Sequence, residues 1–427
     1  MARDARWGAP AERAVRGSTG AVLRPGRTTV CPAPHRRTTV TTTAETAARR
    51  TIRKARTMHA EAGSTRIADG APAVTVTGVR QKEAWAARTL PPVERLPGDI
   101  WSVPVPIPGN PLRYTLSYVL PGTAGLIVVD PGWDSAEGWG ALCRGLAAAG
   151  AAPADVTGVV VTHVHPDHHG LTGRLKAASG AWVAMHPAEH DSLPHRRPRR
   201  GTTAVDEGRA WMLAAGAPEH DVRQLLGPAG TGSRRDALSR LIAPDLLLED
   251  QDRVPVSGRN LVALWTPGHT PGHLCLAESA AGVVLTGDHV LPRITPNIGL
   301  HGRRQGQTPL VDFLHSLERL AGWDGHEALP AHEYRFRGLA ARTAELRDHH
   351  SRRLDELLSV VDALGRPTLW EVTAGLSWSR PWDEVGAMRT AALAETEAHA
   401  QYLVDRGVLA RSGGHASPVR LSRAPSA

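Results

Sequence analysis

One stretch constrains this chain more than any other: Thr162-His163-Val164-His165-Pro166-Asp167-His168-His169-Gly170. It follows directly on Gly158-Val-Val-Val-Thr162, a short apolar run that reads as a buried strand. His163 and His165 alternate at the end of that strand, so both can point into one cavity. Asp167 and His168 stand where the next helix begins and offer a second pair of ligands a few ångströms further on. Imidazole and carboxylate suit Zn2+ and its neighbours. Cys31, Cys143 and Cys275 are too few and too scattered for a disulfide framework or a cysteine zinc site. A metal in this chain has to be held by carboxylates and by histidines, of which there are 21.

Three more apolar runs end in a residue of the same kind. His269 stands in Thr266-Pro-Gly-His-Thr-Pro-Gly-His273, Asp288 in Leu285-Thr-Gly-Asp-His289 and His332 in Leu329-Pro-Ala-His-Glu333. Strand-like segments begin near residue 99 and return at 114–120, 125–132, 158–162 and 181–185, with helices expected at about 135–150 and 170–179. Further strands are expected at 261–265, 274–276 and 283–286, and a helix at about 308–321. This alternation predicts an α/β layered domain.

In the order His-x-His-x-Asp-His, His, Asp, His, these motifs resemble the metallo-β-lactamase-fold hydrolases, and the match covers about residues 95–338. The similarity is greatest to glyoxalase II-like members, because both Asp167 and Asp288 are present. The resemblance implies a four-layer αββα sandwich with a metal site at one edge of its sheets. It implies that His163, His165 and His269 bind one metal, that Asp167, His168 and His332 bind a second, and that Asp288 bridges them. Two Zn2+ are expected, with iron or manganese as alternatives. Asp167 and Asp288 are the expected catalytic carboxylates, serving a hydroxide shared between the metals. Asp130 ends a strand before Pro-Gly, where turn formation would explain it; the resemblance gives it the task of orienting a ligand histidine. One departure stands out: the last motif is usually Pro-Gly-His-Gly, and here it is Pro330-Ala-His-Glu333.

The resemblance implies hydrolysis of an acyl thioester or related ester by a zinc-dependent, thioesterase-like enzyme. No Gly-x-Ser-x-Gly elbow competes with a metal mechanism. The glutathione-binding helical region of glyoxalase II is not recognisable, so glutathione is not expected. An endoribonuclease of the same superfamily and a persulfide dioxygenase with a single iron are the alternatives. The absence of an apolar segment after the basic start disfavours an exported β-lactamase and points to the cytoplasm.

Charge separates the ends of the chain from its middle. Residues 1–60 carry a net +10, whereas the other 367 carry −2 although the whole chain is +8. Residues 1–75 therefore read as a basic, solvated tail, or as an over-extended start with the true beginning near Met58, and the folded part has no global pull toward phosphate. The domain itself is expected over 76–338, with a helical, lid-like insertion at 187–250. That insertion carries Arg196, Arg197, Arg199 and Arg200, candidate contacts for an anionic substrate, and Trp211, a candidate wall for an acyl pocket. His169, His273 and His289 adjoin ligands and are expected behind them or facing solvent. His301, His326, His349 and His350 read as surface histidines, and Cys275 as a small core residue.

Residues 339–427 are expected to form a winged-helix-like module. It would contain a long helix at 339–363, a short one at 369–376, another at 384–406, and a hairpin closed by Ser412-Gly-Gly414. Its acids Asp383, Glu384, Glu395 and Glu397 speak against nucleic acid as a partner. Packing that shapes the substrate entrance or a homodimer interface is the expected use. A small acyl substrate is the expected partner, with no membrane involved.

Overall fold

A computed structural model of the protein describes residues 73–196, 204–227, 240–299, 307–414 and 417–425. The basic tail read at 1–75 lies outside them as far as residue 72. The chain enters through β1 (Thr75–Val76) and α1 (Val79–Ala87). Seven strands then form one sheet in sequence order: β2 (Glu94–Leu96), β3 (Ile100–Pro106), β4 (Tyr114–Gly122), β5 (Gly125–Val129), β6 (Val156–Val160), β7 (Trp182–Met185) and β8 (Leu246–Leu247). The pairing is antiparallel up to β5 and parallel from β5 onward. The parallel part needs crossovers, and helices supply them. They are α2 (Ala136–Ala148), then α3 (Pro166–His169) and α4 (Thr172–Ser179), then α5 (Pro187–Arg196), α6 (Ala204–Ala214) and α7 (Glu219–Leu226).

A second sheet contains β9 (Val262–Trp265), β10 (Leu274–Glu278), β11 (Val283–Gly287), β12 (Glu327–Pro330) and β13 (Phe336–Arg337), in the order β1-β13-β12-β11-β10-β9. Helix α8 (Pro309–Ala321) crosses from β11 to β12. Period-two alternation sorts the strand residues between layers. Leu116, Tyr118, Leu120, Ile127 and Val129 of the first sheet meet Leu274, Leu276, Val283 and Leu285 of the second in one buried core. Their alternates Val119 and Val128 pack instead on Leu142, Leu146 and Leu175 beneath the first sheet. Cys275, Ala277 and Val284 pack on Phe313, Leu317 and Leu320 of α8. The result is the helix–sheet–sheet–helix sandwich, and Cys275 is a core residue within it.

The remaining residues form α9 (Leu339–Leu364), α10 (Leu369–Gly375), α11 (Arg389–Asp405) and the hairpin β14 (Leu409–Gly414) and β15 (Ser417–Arg423). A reciprocal capping box starts α10: Glu371 N–H donates to Thr368 Oγ1 at 3.2 Å, and Thr368 N–H to Glu371 Oε2 at 2.7 Å. The helix expected from 384 begins only at Arg389. Two short 3-10 turns precede it, and Gly386 at φ +60° interrupts any continuous helix there. Met212 of α6, Ala215 just beyond it and Val222 of α7 complete the core made by Leu357, Trp370, Leu393 and Leu403. The insertion and the C-terminal helices therefore share one hydrophobic cluster. His350, expected at the surface, is fully buried, because its position on α9 faces α11 and Phe313 of α8.

Candidate metal centre

The loops that follow β6, β9, β11 and β12 meet at one edge of the sandwich. The sheets are tied there by Leu274 N–H, which donates to the carbonyl of Thr162 at 3.0 Å. Parallel pairing of β11 with β12 sets Gly287 opposite Pro330, so Asp288 and His332 emerge side by side. Gly287 has no room for a side chain: a Cβ would lie 2.6 Å from Nε2 of His273.

Seven side chains gather in two groups, His163, His165, His269 and Asp288 in one and Asp167, His168 and His332 in the other. Within the first, His165 Nδ1 lies 2.9 Å from His163 Nε2 and 3.1 Å from His269 Nε2. Asp288 Oδ2 lies 3.9 and 3.7 Å from those two Nε2 atoms. Its other oxygen, Oδ1, faces the second group, 3.4 Å from His168 Nε2 and 3.1 Å from His332 Nε2. Asp167 Oδ2 closes that group at 3.8 and 3.5 Å from the same nitrogens. Asp288 therefore divides its two oxygens between the groups.

Hydrogen bonds on the far side of the rings set the tautomers. His168 Nδ1–H donates to Asp130 Oδ2 at 2.8 Å, His269 Nδ1–H to the Asn297 carbonyl at 2.9 Å and His332 Nδ1–H to the Tyr114 carbonyl at 2.8 Å. The Thr162 hydroxyl donates to Asp130 Oδ2 at 2.7 Å, which leaves its oxygen to accept from His163 Nδ1–H at 3.0 Å. In each ring the Nε2 lone pair is thereby left facing the centre. Asp130 is placed for this by a left-handed backbone, φ +51°, that ends β5, so turn former and histidine holder are one residue.

Without a metal, protons balance the charge. Burial pushes the His163 pKa well below the ordinary range, and the neighbouring imidazoles His168, His165 and His269 push it the same way. Burial also opposes protonation of His332, but Asp288 and Asp167 outweigh it and raise the pKa to about 10. His168 is raised in the same way by Asp288, Asp130 and Asp167. Burial would raise the Asp288 pKa, yet His332 and His168 hold it well below the carboxylate range.

The donor set fits metal ions. Buried His168 Nε2, His332 Nε2 and Asp288 Oδ1 converge without a hydrogen-bond partner, a costly arrangement for a site meant to stay empty. The separations, 2.9–3.9 Å around the first position and 3.1–3.8 Å around the second once Asp288 Oδ1 is counted there, also bracket the roughly 3.3 Å edge of a tetrahedron built on metal–nitrogen bonds of about 2.0–2.1 Å.

Other predicted residues fall elsewhere. Trp211 sits against the C-terminal helices, its indole N–H donating to Glu397 Oε2 at 2.9 Å. Arg197, Arg199 and Arg200 lie outside the described residues, and for Arg196 only the backbone at the end of α5 is described. His169 is buried between Thr172 Oγ1 and the Ile242 carbonyl, and His273 between Thr266 and the Asp288 amide. His289 is buried against Phe313, so none of these three faces solvent.

Besides the Tyr114 carbonyl and the Thr162 hydroxyl, Glu189, Asn297 and the carboxylate of Glu333 were not found from the sequence. Glu189 is fully buried and accepts from Val164 N–H at 2.8 Å and Gly272 N–H at 2.7 Å. Glu333, where the usual motif has glycine, holds φ +67° and accepts from Arg293 N–H at 3.0 Å and Ile294 N–H at 3.2 Å. The two glutamates bind backbone groups and Asn297 acts through its own carbonyl, so none leaves a residue-type signal. A glutamate at a position needing positive φ is the one trace the sequence carries.

The profile of the metallo-beta-lactamase superfamily matches residues 110–356. A metallo-beta-lactamase family protein of Thermus thermophilus superposes with a TM-score of 0.64 at 33% identity, covering 76% of this chain and 98% of its own. A beta-lactamase domain protein of Burkholderia ambifaria gives 0.66 at 26% identity, covering 82% and 98%. Among curated sequences, "Probable metallo-hydrolase YqjP" of Bacillus subtilis is 24% identical over 62% of this chain and 81% of its own length. The human "Acyl-coenzyme A thioesterase MBLAC2" is 28% identical over 31% of this chain and 40% of its own.

Proposed function

The chain belongs to the metallo-beta-lactamase superfamily, and from that premise we propose that it is a dinuclear-metal hydrolase of acyl thioesters, of the glyoxalase II-like branch and with zinc as its metal. The observation that carries this reading is Asp288, whose Oδ2 turns to one ligand group and whose Oδ1 turns to the other. A shared carboxylate is what two cations a few ångströms apart require. Bound there, they would supply a water acidified to near neutrality and an electrophile for the carbonyl oxygen.

The residues divide the remaining work. His163, His165 and His269 would hold one position, and Asp167, His168 and His332 the other. Asp130, Asn297, Thr162 and the Tyr114 carbonyl keep the ring lone pairs aimed. We assign proton acceptance from the attacking water to the Asp167 carboxylate oxygen that does not face the second group; the side chain as a whole stays partly open at 14% exposure. A thiolate leaves readily without a strong acid, so the proposed reaction needs no dedicated proton donor.

The thioester is supported by the name of the human relative and by the lack of net positive charge outside the first 60 residues. The arginines at 196–200 would meet the phosphates of a coenzyme A ester, so Arg199→Ala is expected to raise KM steeply in low salt. The helices and hairpin after residue 338, read as winged-helix-like, would shape the entrance rather than bind nucleic acid. The test is turnover of an acyl-coenzyme A panel beside a single-stranded RNA by metal-analysed protein. Thioester cleavage lost in Asp288→Ala is expected; cleavage of RNA instead would overturn the substrate class.

A further inference from the structure

We propose that Glu189 is a positioning residue for the His163–His165–His269 half of the centre, fixing two ligand loops from opposite sheets against each other. The inference rests on the reading of the centre as a metal site. Glu189 lies in the first turn of α5, outside every recognised motif, and its side chain is fully buried. Its Oε2 takes the N–H of Val164, the residue between ligands His163 and His165, at 2.8 Å. Its Oε1 takes the N–H of Gly272, three residues beyond His269, at 2.7 Å. Val164 belongs to the loop after β6 in the first sheet, and Gly272 to the β9–β10 loop in the second. One carboxylate thus spans the two sheets directly behind the three imidazoles.

A second observation shows that the chain is built around this contact. Gly272 has no positive φ to justify glycine, yet a Cβ there would stand 2.6 Å from Glu189 N, 2.8 Å from Glu189 Cγ and 2.9 Å from His186 Nδ1. Glycine is needed at 272 because Glu189 must come this close. Both bonds are short and shielded from water, so losing either would leave a buried amide N–H without its acceptor. The distances they protect are small: His165 Nδ1 must stay 2.9 and 3.1 Å from two nitrogens on different loops. Loss of the clamp lets the β9–β10 loop, and His269 with it, drift from the pair on the β6 loop. The Asp167–His168–His332 group has no contact with Glu189 among those described, and should be spared.

The experiment is chelator-competition titration of zinc into the metal-free, full-length chain. Combining each variant with His332→Ala isolates the first position, and combining it with His269→Ala isolates the second. Groups that orient metal ligands typically change affinity 10–100-fold. Glu189→Ala is expected to weaken the first position by that factor and leave the second unchanged. Glu189→Gln keeps the size and one accepting oxygen, so an intermediate loss is expected from a chain with wild-type circular dichroism. Gly272→Ala removes no polar group, yet its Cβ would collide with the Glu189 amide nitrogen and Cγ and push the two loops apart, and should weaken the same position. Unchanged zinc affinity in Glu189→Gln and Gly272→Ala, with only a lower melting temperature, would make Glu189 a staple for α5 and overturn the proposal. A wild-type chain that takes up no zinc in either background would instead overturn the reading of the centre itself.

Discussion

Asp130 and Glu333 show how much a single residue carries at this edge of the sandwich. Asp130 accepts from His168 Nδ1–H, the Thr162 hydroxyl and the Thr162 N–H at 2.8, 2.7 and 2.8 Å, so one carboxylate orients two ligand rings. Asp130→Ala is expected to weaken metal binding by about 10–100-fold, most at the position of His168, as read by zinc titration. Glu333 offers a sharper contrast. Its φ of +67° strains any side chain, and glycine there would relieve the backbone. Its carboxylate, however, pins the amides of Arg293 and Ile294, which begin the run to Asn297, the residue that holds His269. Glu333→Gly is therefore expected to cost metal affinity while Glu333→Gln, whose amide oxygen still accepts, keeps most of it. A glycine variant that binds zinc as well as wild type would reduce Glu333 to a tolerated strain. The clustered histidines and carboxylates were legible in the sequence because they follow apolar strands within a few residues, β6 ending at Val160, β9 at Trp265, β11 at Gly287 and β12 at Pro330, although none of the seven lies in a strand and Asp167 and His168 stand in α3. The groups that aim them were not, because Asn297 and Tyr114 act through carbonyls that every residue possesses.

At the scale of elements, alternation of strands and helices made an α/β layered domain readable, and the family resemblance supplied the sandwich; the structure then sorts Leu274, Leu276 and Val283 to one layer and Cys275 and Val284 to another. Helix-to-helix burial was harder. His350 sits in a polar stretch of α9, between His349 and Ser351, and nothing local distinguishes it from a surface residue. Its burial follows from α11 crossing it. His399 Nδ1–H donates to the Glu395 carbonyl at 2.8 Å, so its Nε2 accepts from His350 Nδ1–H at 3.0 Å and both rings are neutral. Burial lowers the His399 pKa to about 4, and burial with the neighbouring His399 and His349 lowers His350 well below its ordinary value. The unfolded chain takes up protons at these residues near pH 6.5, and the folded chain refuses them until about pH 4 at His399. Stability is thus lost as pH falls below about 6.5, by roughly 2 kcal/mol per such histidine at pH 5. Urea midpoints at pH 7.5 and 5 should show this fall, and His399→Gln should make it shallower. An equal slope in the variant would remove the pair as its source.

Over the whole molecule the centre is also a joint. His163, His165, Asp167 and His168 come from the first sheet, whereas His269, Asp288 and His332 come from the second. Cations bound between them exist only when the sheets are packed, so binding adds directly to folding stability. The increment grows as RT ln(1 + [L]/Kd), about 4 kcal/mol when free metal stands at a thousand times Kd. Zinc added to the metal-free chain is therefore expected to raise the melting temperature by several degrees, and chelator to reverse it. Asp288→Ala separates this effect from ordinary packing. Without the shared carboxylate, His168 and His332 lose the charge that holds their pKa values up, and they can shed their protons rather than remain as buried, unpaired cations. The metal-free variant should then melt within a few degrees of the metal-free wild type, while most of the zinc-dependent rise disappears. If the rise survives in full, the cations bind away from this edge, and the sheets are held together by their apolar core alone.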